Sequence, residues 1–472
     1  MPDAPDLIDR ARQTRVIVIG GGIAGLVAAF ECAKVGMSVT LLEASSRLGG
    51  VVGSVDLDGV RADAVVDTFD GAAPELAALL TELDLAERLV PVAQTVPWVG
   101  HLRLPAEAML GIPANSWDPA VRRIIGWRGV WRAYLDRLRP PLTIGHQRNL
   151  GALVRSRLGD RVCERMVAPI TRARLGLEPE QVDAEIAAPG LVSALTRTGS
   201  LAGAVSALSP ELPTRHTLTG GVALLASGLS ERLALLEAEV RTDARVAEIR
   251  RTAGGWTVDV DEPADAAAGG DADADPAAEE VEADLLVVAV DESAARRLLS
   301  MIIDGADAPV PAGADVVTLR VTMPDTDRSD VAPAPFSPVR RVADVTAMLP
   351  WLAAEVPEGE RIVRVTSVAV DEPDEAVIAA AQAAASAALG HELSSAHVLA
   401  SVRTRAAWPP LAQIGRRQHQ SDLRRTVHGM PGLALTGGWI SDGEIADVVA
   451  DAVAEASRLR RTVLWGDAGE AT

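Results

Sequence analysis

Cysteine is nearly missing from this 472-residue chain: Cys32 and Cys163 are the only two, which excludes a disulfide framework and a Cys-rich metal site. Positive charge is short as well. Lys plus Arg number 45 against 65 Asp plus Glu, a net charge of −20, so a phosphate-tracking surface is excluded as the main feature and nucleic acid is not an expected partner. No apolar run reaches the roughly 18 residues of a membrane span without glycine clusters. The leader Met1–Thr14 is polar and acidic where a signal peptide needs a basic start and an apolar stretch, so a cytoplasmic protein with no transmembrane segment is expected. The seven histidines, His101, His146, His216, His391, His397, His419 and His428, contain no i, i+4 pair of the kind that holds metal on a helix, and no metal is expected. No fixed-period repeat is present, which excludes a solenoid or propeller. What is there is apolar: 48% hydrophobic residues and a mean hydropathy of +0.17 exclude wholesale disorder, and the length calls for two or more domains.

Along the chain, Arg15–Ile19 is a short β-branched run, glycines fill 20–25 around Ile23 and Ala24, Leu26–Gly36 has helical spacing, and Ser38–Glu43 is again strand-like. Pro74–Arg88 and Asn149–Ile170 carry apolar residues three and four apart, with Pro140-Pro141 between them, so 74–205 reads as a helical insert. From Thr219 a helix, a strand pair (Arg245–Arg250 and Gly255–Val260) and a buried strand Ala283–Val290 mark the first domain resuming. Glu262–Glu282, acidic and Ala/Gly-rich, reads as one solvated loop. Val316–Thr322 and Arg361–Val370 read as strands of a second sheet, followed by the helix Ala376–Leu389. Trp127 and Trp131, at i, i+4 spacing, read as a helix face packed in the core or against a partner, with Trp98 and Trp117 as further wall candidates.

The chemistry begins at Gly20-Gly21-Gly22-Ile23-Ala24-Gly25, a GxGxxG fingerprint placed between a strand and a helix, the context that gives it meaning. Gly20 permits a tight turn, Gly22 lets backbone approach a pyrophosphate, and Gly25 allows close helix–sheet packing, while the helix N-terminus offers N–H groups to phosphate. Glu43 stands eighteen residues after Gly25, at the end of the next strand, where a carboxylate accepts both ribose hydroxyls.

The continuation Glu43-Ala44-Ser45-Ser46-Arg47-Leu48-Gly49-Gly50 resembles the amine-oxidase-like flavoproteins, in which the ribose Glu is followed by an Arg and paired glycines that close over the pyrophosphate. A guanidinium is a planar, permanently charged fork for phosphate oxygens. Further stretches narrow the resemblance to the oxygen-dependent porphyrinogen oxidases. Asp63–Phe69, with Asp67 and Thr68, is similar to that family's segment beside the flavin, Glu75–Leu89 to the helix after it, and Leu102–Pro105 through Gly111–Pro113 to its next loop. Leu150–Pro169 resembles the helical stretch before its substrate region, Gly220-Gly221 the returning flavin-domain helix, and Val246 falls where the family's backbone meets adenine. Trp408, Pro410 and Gly415 match its Trp-Pro-x-Gly region, and Gly437–Ala452, with Glu444 and Ile445, its last flavin-contacting turn and helix.

The resemblance implies an α/β fold: a discontinuous Rossmann-type FAD-binding domain (1–73, 206–304 and 405–472), a helical insert (74–205) and a mixed-sheet substrate domain (305–404). It also implies noncovalent FAD, since the terminal region has no flavin-attaching cysteine, and hydride removal from coproporphyrinogen III or protoporphyrinogen IX with O2 as acceptor. The cofactor carries that chemistry, so no catalytic side chain is nominated; Arg172 and Arg174 are the candidate anchors for a tetrapyrrole's propionates. Several positions depart from the family. Val65 replaces Gly near the flavin, and at positive φ its Cβ would cost roughly 1–2 kcal/mol. Thr171–Gly176 replaces a Gly-Gly-Val-Tyr-Ala-Gly segment, Ala412 a Tyr, Arg416 a His and Glu444 a Gly. A non-catalytic flavin- or tetrapyrrole-binding relative is therefore an alternative, as is a desaturase-like enzyme. Amine oxidation is disfavoured because the single lysine, Lys34, falls on the first helix.

Overall fold

The computed structural model describes residues 4–93, 95–139, 148–209, 214–261, 279–306, 310, 313–333 and 337–465. In chain order its principal elements are β1 (Arg15–Ile19), α1 (Ile23–Ala33), β2 (Ser38–Leu42), α2 (Pro119–Tyr134), α3 (Ala168–Leu175) and α4 (Leu224–Leu235). They continue with β3 (Glu239–Arg241), β4 (Leu285–Val288), β5 (Ala314–Thr322), β6 (Asp330–Ala332), β7 (Val339–Asp344), β8 (Glu360–Val368), β9 (Val398–Ala406), β10 (Leu433–Leu435) and α5 (Ile445–Trp465).

Runs such as Val16–Ile19 and Leu285–Val288 are apolar at every position because both of their faces are covered, the signature of a parallel sheet. They pair in parallel in the order β3-β2-β1-β4-β10, with Val18 flanked by Leu41 and Val287 and Val287 in turn by Ala434. On one face lies α1, buried along its whole length between the sheet, α4 and α5. On the other, Trp256 and Val258 of a three-stranded antiparallel sheet pack with Leu286 and Val288. The sheet thus draws strands from near both ends of the described chain, which makes the domain discontinuous.

The second sheet is mixed and runs β9-β5-β8-β7-β6, then Trp98–Val99 and Leu102–Arg103. All its pairings are antiparallel except β6 with Trp98–Val99. The helix Asp374–Leu389 covers one face, and the hairpin Ser54–Asp63 with the helices Val345–Met348 and Pro350–Glu355 packs on the other. A third core, built from Leu104 to Val205, belongs to the helical segment and takes in Ala332 and Ala412.

Several expectations are corrected. Glu279–Ala283 is a strand paired with Trp256–Val260, so the acidic stretch 262–282 is not a single loop; residues 262–278 and Pro140-Pro141 lie outside the described residues, as does His146. Alternating glutamates gave a polar look to a strand whose inner positions, Val281 and Ala283, are the ones that pack. Pro74–Arg88 is a helix only to Glu82, and Asn149–Ile170 breaks at Gly159 and passes through a π-turn at Cys163–Val167 before α3. Trp127 and Trp131 are not core residues: they are 58% and 56% exposed, because the residues that α2 buries on either side of its kink at Gly126 are Val121, Ile124 and Ile125, then Val130 and Ala133. With Trp117 and Tyr134 they make an edge-to-face cluster on the surface.

Candidate functional site

The carboxyl ends of β1 and β4 open onto a groove, the place where an open parallel sheet receives ligands. Gly20 has φ +107°, donates its N–H to the Leu42 carbonyl at 2.8 Å, and a Cβ there would lie 2.6 Å from the Ala289 oxygen. A Cβ on Gly25 would lie 1.9 Å from the Gly20 oxygen, so α1 approaches the turn as closely as backbone allows. Gly22 is different. It precedes α1 in extended conformation, no side chain caps the helix, and a Cβ on it would meet nothing within 4 Å. That empty volume at an uncapped helix N-terminus is a cradle for an anion.

Glu43 is held rigidly beside it: one carboxylate oxygen accepts from Gly21 N–H at 2.7 Å, the other from the Ser45 N–H and hydroxyl at 2.8 and 2.7 Å. Three of the carboxylate's four lone-pair sites are thus taken, and the Gly21-bonded oxygen keeps one for a ribose hydroxyl. Gly49, at φ +104°, donates to the Gly21 carbonyl at 2.8 Å, and Gly50 stands over Gly22, so the paired glycines close the groove from above. Arg47 and Ala44 lie exposed on this rim, Arg47 reaching the Ser54 carbonyl at 3.4 Å. Asp243 and Ala244 bond back to Ser45 and Glu43 at 3.0 and 2.9 Å, which brings the segment leading to the buried Val246 alongside. At the far end Val290 lies against Gly20 and accepts from Trp439 Nε1 at 3.0 Å, so Gly437 and the start of α5 at Ile445 reach the same edge. An open cradle at an uncapped helix N-terminus and a fixed carboxylate fit the pyrophosphate and ribose of a dinucleotide.

The segment Asp63–Phe69 forms the next wall. Arg364 bonds Asp67 and the carbonyls of Val65 and Asp63. Asp63, buried and beside Asp67, is pushed up to about 7, against N–H donation from Val222 and Ala223 and the charge of Arg364. Val65 is not at positive φ, so the expected backbone strain does not arise; its side chain packs with the Val55–Trp351 cluster. Arg215 donates to the Thr68 carbonyl at 2.9 Å and to Glu444 at 2.7 Å, so Glu444 ties the α5 terminus to the wall.

Above this wall lies a concentration of guanidinium groups. Arg174 of α3 and Arg341 of β7 share Asp330, at 3.7 and 2.8 Å. The side chain of Arg174 is 48% exposed, with the charges of Arg341 and Arg215 close by. Arg172, in contrast, is clamped by both oxygens of Glu178 at 2.7 and 2.8 Å. Arg340 stacks on Trp408, 5.8 Å from the ring centre. Ala412 is buried in the helical core, its carbonyl accepting from Asp183 N–H at 2.7 Å, and Arg416 pairs with buried Glu292 at 2.5 Å. Sequence reasoning misses Arg215, Arg340 and Arg341; the one signal for the latter two is an Arg-Arg pair set between Val339 and Val342. Lys34 is held by Glu31 and Glu82 at 2.5 and 2.9 Å. Among the described residues no group of three or more His, Cys, Asp or Glu side chains could hold a metal, and no single helix is long and apolar enough to cross a membrane.

Residues 23–460 match the family described as flavin containing amine oxidoreductase. The coproporphyrinogen III oxidase of Propionibacterium freudenreichii is 28% identical over 186 residues, 38% of this chain and 35% of the relative. That of Mycobacterium bovis is 31% identical over 227 residues, 46% of this chain and 50% of the relative. The match thus spans half or less of these curated relatives. Among solved structures, an Exiguobacterium sp. protein provisionally assigned as a protoporphyrinogen oxidase superposes with a TM-score of 0.78 at 20% identity, covering 95% of this chain and 99% of that one.

Proposed function

The chain belongs to the flavin containing amine oxidoreductase family, with FAD as its cofactor, and on that premise we propose that it is an oxidase that removes hydrides from a porphyrinogen, coproporphyrinogen III in preference to protoporphyrinogen IX. The observation that carries the reading is the cationic wall of Arg174, Arg215 and Arg341 in a chain of net charge −20, which suits a substrate bearing several carboxylates. The names of the curated relatives support it.

In this reading the segments 1–73, 206–304 and 405–472 hold the cofactor and 74–205 and 305–404 the substrate. Gly20 to Gly25 would cradle the pyrophosphate, Glu43 the ribose, Arg47, Gly49 and Gly50 the outer phosphate face, and the chain at Val246 the adenine. Asp67, Thr68, Trp408, Gly437, Glu444 and Ile445 would border the ring system. Bound FAD supplies hydride acceptance from a C–H bond and return of the electron pair to dioxygen. The protein's part is positional: Arg174 and Arg341 attract carboxylates and orient the macrocycle, while Arg215 fixes Thr68 and Glu444 at the ring edge. Three two-electron oxidations convert a porphyrinogen to a porphyrin, consuming three O2 and releasing three H2O2.

The test is the visible spectrum of the purified protein before and after anaerobic mixing with each porphyrinogen. Bleaching of the oxidised-flavin band with coproporphyrinogen III, faster than with protoporphyrinogen, is expected, with at most one coproporphyrin formed per three flavins reduced. A band left unchanged by both substrates refutes porphyrinogen oxidation and leaves a binding relative or a desaturase-like enzyme.

A further inference from the structure

Most arginines of the structure that are withdrawn from solvent face a carboxylate; Arg340 does not. Among the described residues it makes no ion pair, and its Nη1 is buried with no hydrogen-bond partner. Its position in the sheet explains how it comes to be there. Along β7 and β8, Val339 pairs with Ser367 and Arg341 with Thr366, so Arg340 is the extra residue of a β-bulge. A bulge re-aims a side chain out of the alternation of its strand. Arg341 thereby keeps its place on Asp330, while Arg340 turns to the ring of Trp408.

The guanidinium is one wall of an open pocket of about 220 Å³ that it lines together with Gly176, Gln181, Trp408, Pro410 and Gln413. Gly176 gives it room, since a Cβ there would lie 3.0 Å from Nη1. Its backbone, at φ +66°, is also the left-handed end of α3, two residues beyond Arg174. The side-chain amide of Gln413 makes no hydrogen bond among the described residues, which leaves a further polar group facing the same space. Burial without a compensating anion lowers the arginine below its ordinary value. An arginine held by an aromatic face, partly desolvated and without an anion beside it is unfavourable in the empty protein and becomes favourable when an anion arrives.

We propose that Arg340 is a carboxylate anchor of the substrate, taking one carboxylate-bearing arm into the Trp408 pocket and so fixing the ligand's rotation about the cationic wall. A pocket of this size, below the few hundred Å³ that hold a whole drug-sized ligand, admits an arm and not a macrocycle. The identity of the arm as a propionate rests on the reading of the preceding subsection; the carboxylate chemistry does not.

The experiment is calorimetric titration of the flavin-loaded full chain, wild type against Arg340→Met and Arg340→Lys, with two probes: coproporphyrin III, and benzene-1,3,5-tricarboxylate as a planar polycarboxylate without a tetrapyrrole. Loss of a charge-assisted hydrogen-bond pair predicts binding of both probes weakened about tenfold to a hundredfold in Arg340→Met, with Arg340→Lys between it and wild type. Flavin content and melting temperature should hold in Arg340→Met, because no ion pair is broken; if they fall, Arg340→Lys decides, and wild-type affinity there overturns the bidentate anchor. Coproporphyrin bound equally by wild type and Arg340→Met overturns the anchor and leaves the tetrapyrrole reading intact. Tricarboxylate bound in an Arg340-dependent manner, with no binding of coproporphyrin, upholds the anchor and removes the tetrapyrrole. If wild type binds neither probe, both proposals fall.

Discussion

Gly22→Ala and Gly25→Ala are the same chemical change three residues apart, and the structure separates their consequences. At Gly25 the new methyl would lie 1.9 Å from the Gly20 oxygen, where carbon and oxygen need about 3.3 Å. The helix α1 must therefore retreat by more than an ångström from a turn that is itself pinned to Leu42. Overpacking of this kind costs about 1–3 kcal/mol and can exceed that where both partners are backbone. At Gly22, φ −70° and ψ 175° suit any residue, and the methyl enters empty space. The empty-state fold should be nearly indifferent, with loss of chain entropy in the unfolded state offsetting the poorer cap within about 1 kcal/mol. The cofactor should feel it instead: displacing phosphate from one or two N–H donors, at about 1.5–3 kcal/mol for a charged hydrogen bond, raises Kd by about tenfold to more than a hundredfold. Denaturant unfolding of the flavin-free proteins and FAD titration by fluorescence quenching measure the two effects. Wild-type FAD affinity in Gly22→Ala, or wild-type stability in Gly25→Ala, would refute the assignment of the groove.

Asp63 holds its proton to about pH 7 when folded against an ordinary value of 3.8, so the folded chain binds more protons than the unfolded one across that window. Its contribution is fully present below the unfolded value and is lost as pH rises through the folded one. The melting temperature of Asp63→Asn relative to wild type should therefore climb between about pH 4 and about pH 8; a pH-independent difference would show that the buried carboxyl does not titrate there. In the helical segment, buried Asp136 accepts from Arg157 at 3.2 Å and from Leu201 N–H at 2.6 Å. Arg157→Met leaves that carboxylate uncompensated and should cost about 3–5 kcal/mol in chemical denaturation, with Asp136→Asn/Arg157→Met recovering part of the loss; equal stability of Arg157→Met and wild type would contradict the burial argument.

What the sequence made legible was local. Gly25 is constrained by Gly20 five residues before it and Gly20 by the end of the neighbouring strand at Ala289, Gly22 stands open at the start of the helix between them, and Glu43 lies at the end of the very next strand. These could be located from spacing alone. Arg340 could not, because a bulge is a property of two strands in register, and nothing in Val339–Asp344 announces that its partner will offer Ser367 and then Thr366. Arg215 is hidden for the same reason: its contacts are Thr68 and Glu444, at opposite ends of the chain. Arg172 was visible as a charge near an expected pocket, yet its local Glu178 claims it, and a partner six residues away on a turn leaves no periodic trace. The concern over Val65 came from a family pattern of residue types; the backbone there is ordinary, and the substitution is accommodated by the apolar cluster it joins.

The order β3-β2-β1-β4-β10 also fixes a sequence of events in time. A ribosome delivers Arg15–Ile19 early and Leu433–Leu435 almost the whole chain later, and α5, which seals α1 on its outer side, later still. Until then the turn at Gly20 has no Gly437 opposite it, and α1, with no polar face, has nothing to hide one flank. Nascent chains must keep that flank covered by other means until α5 has been made, and the nucleotide groove acquires its final edge only when that helix docks.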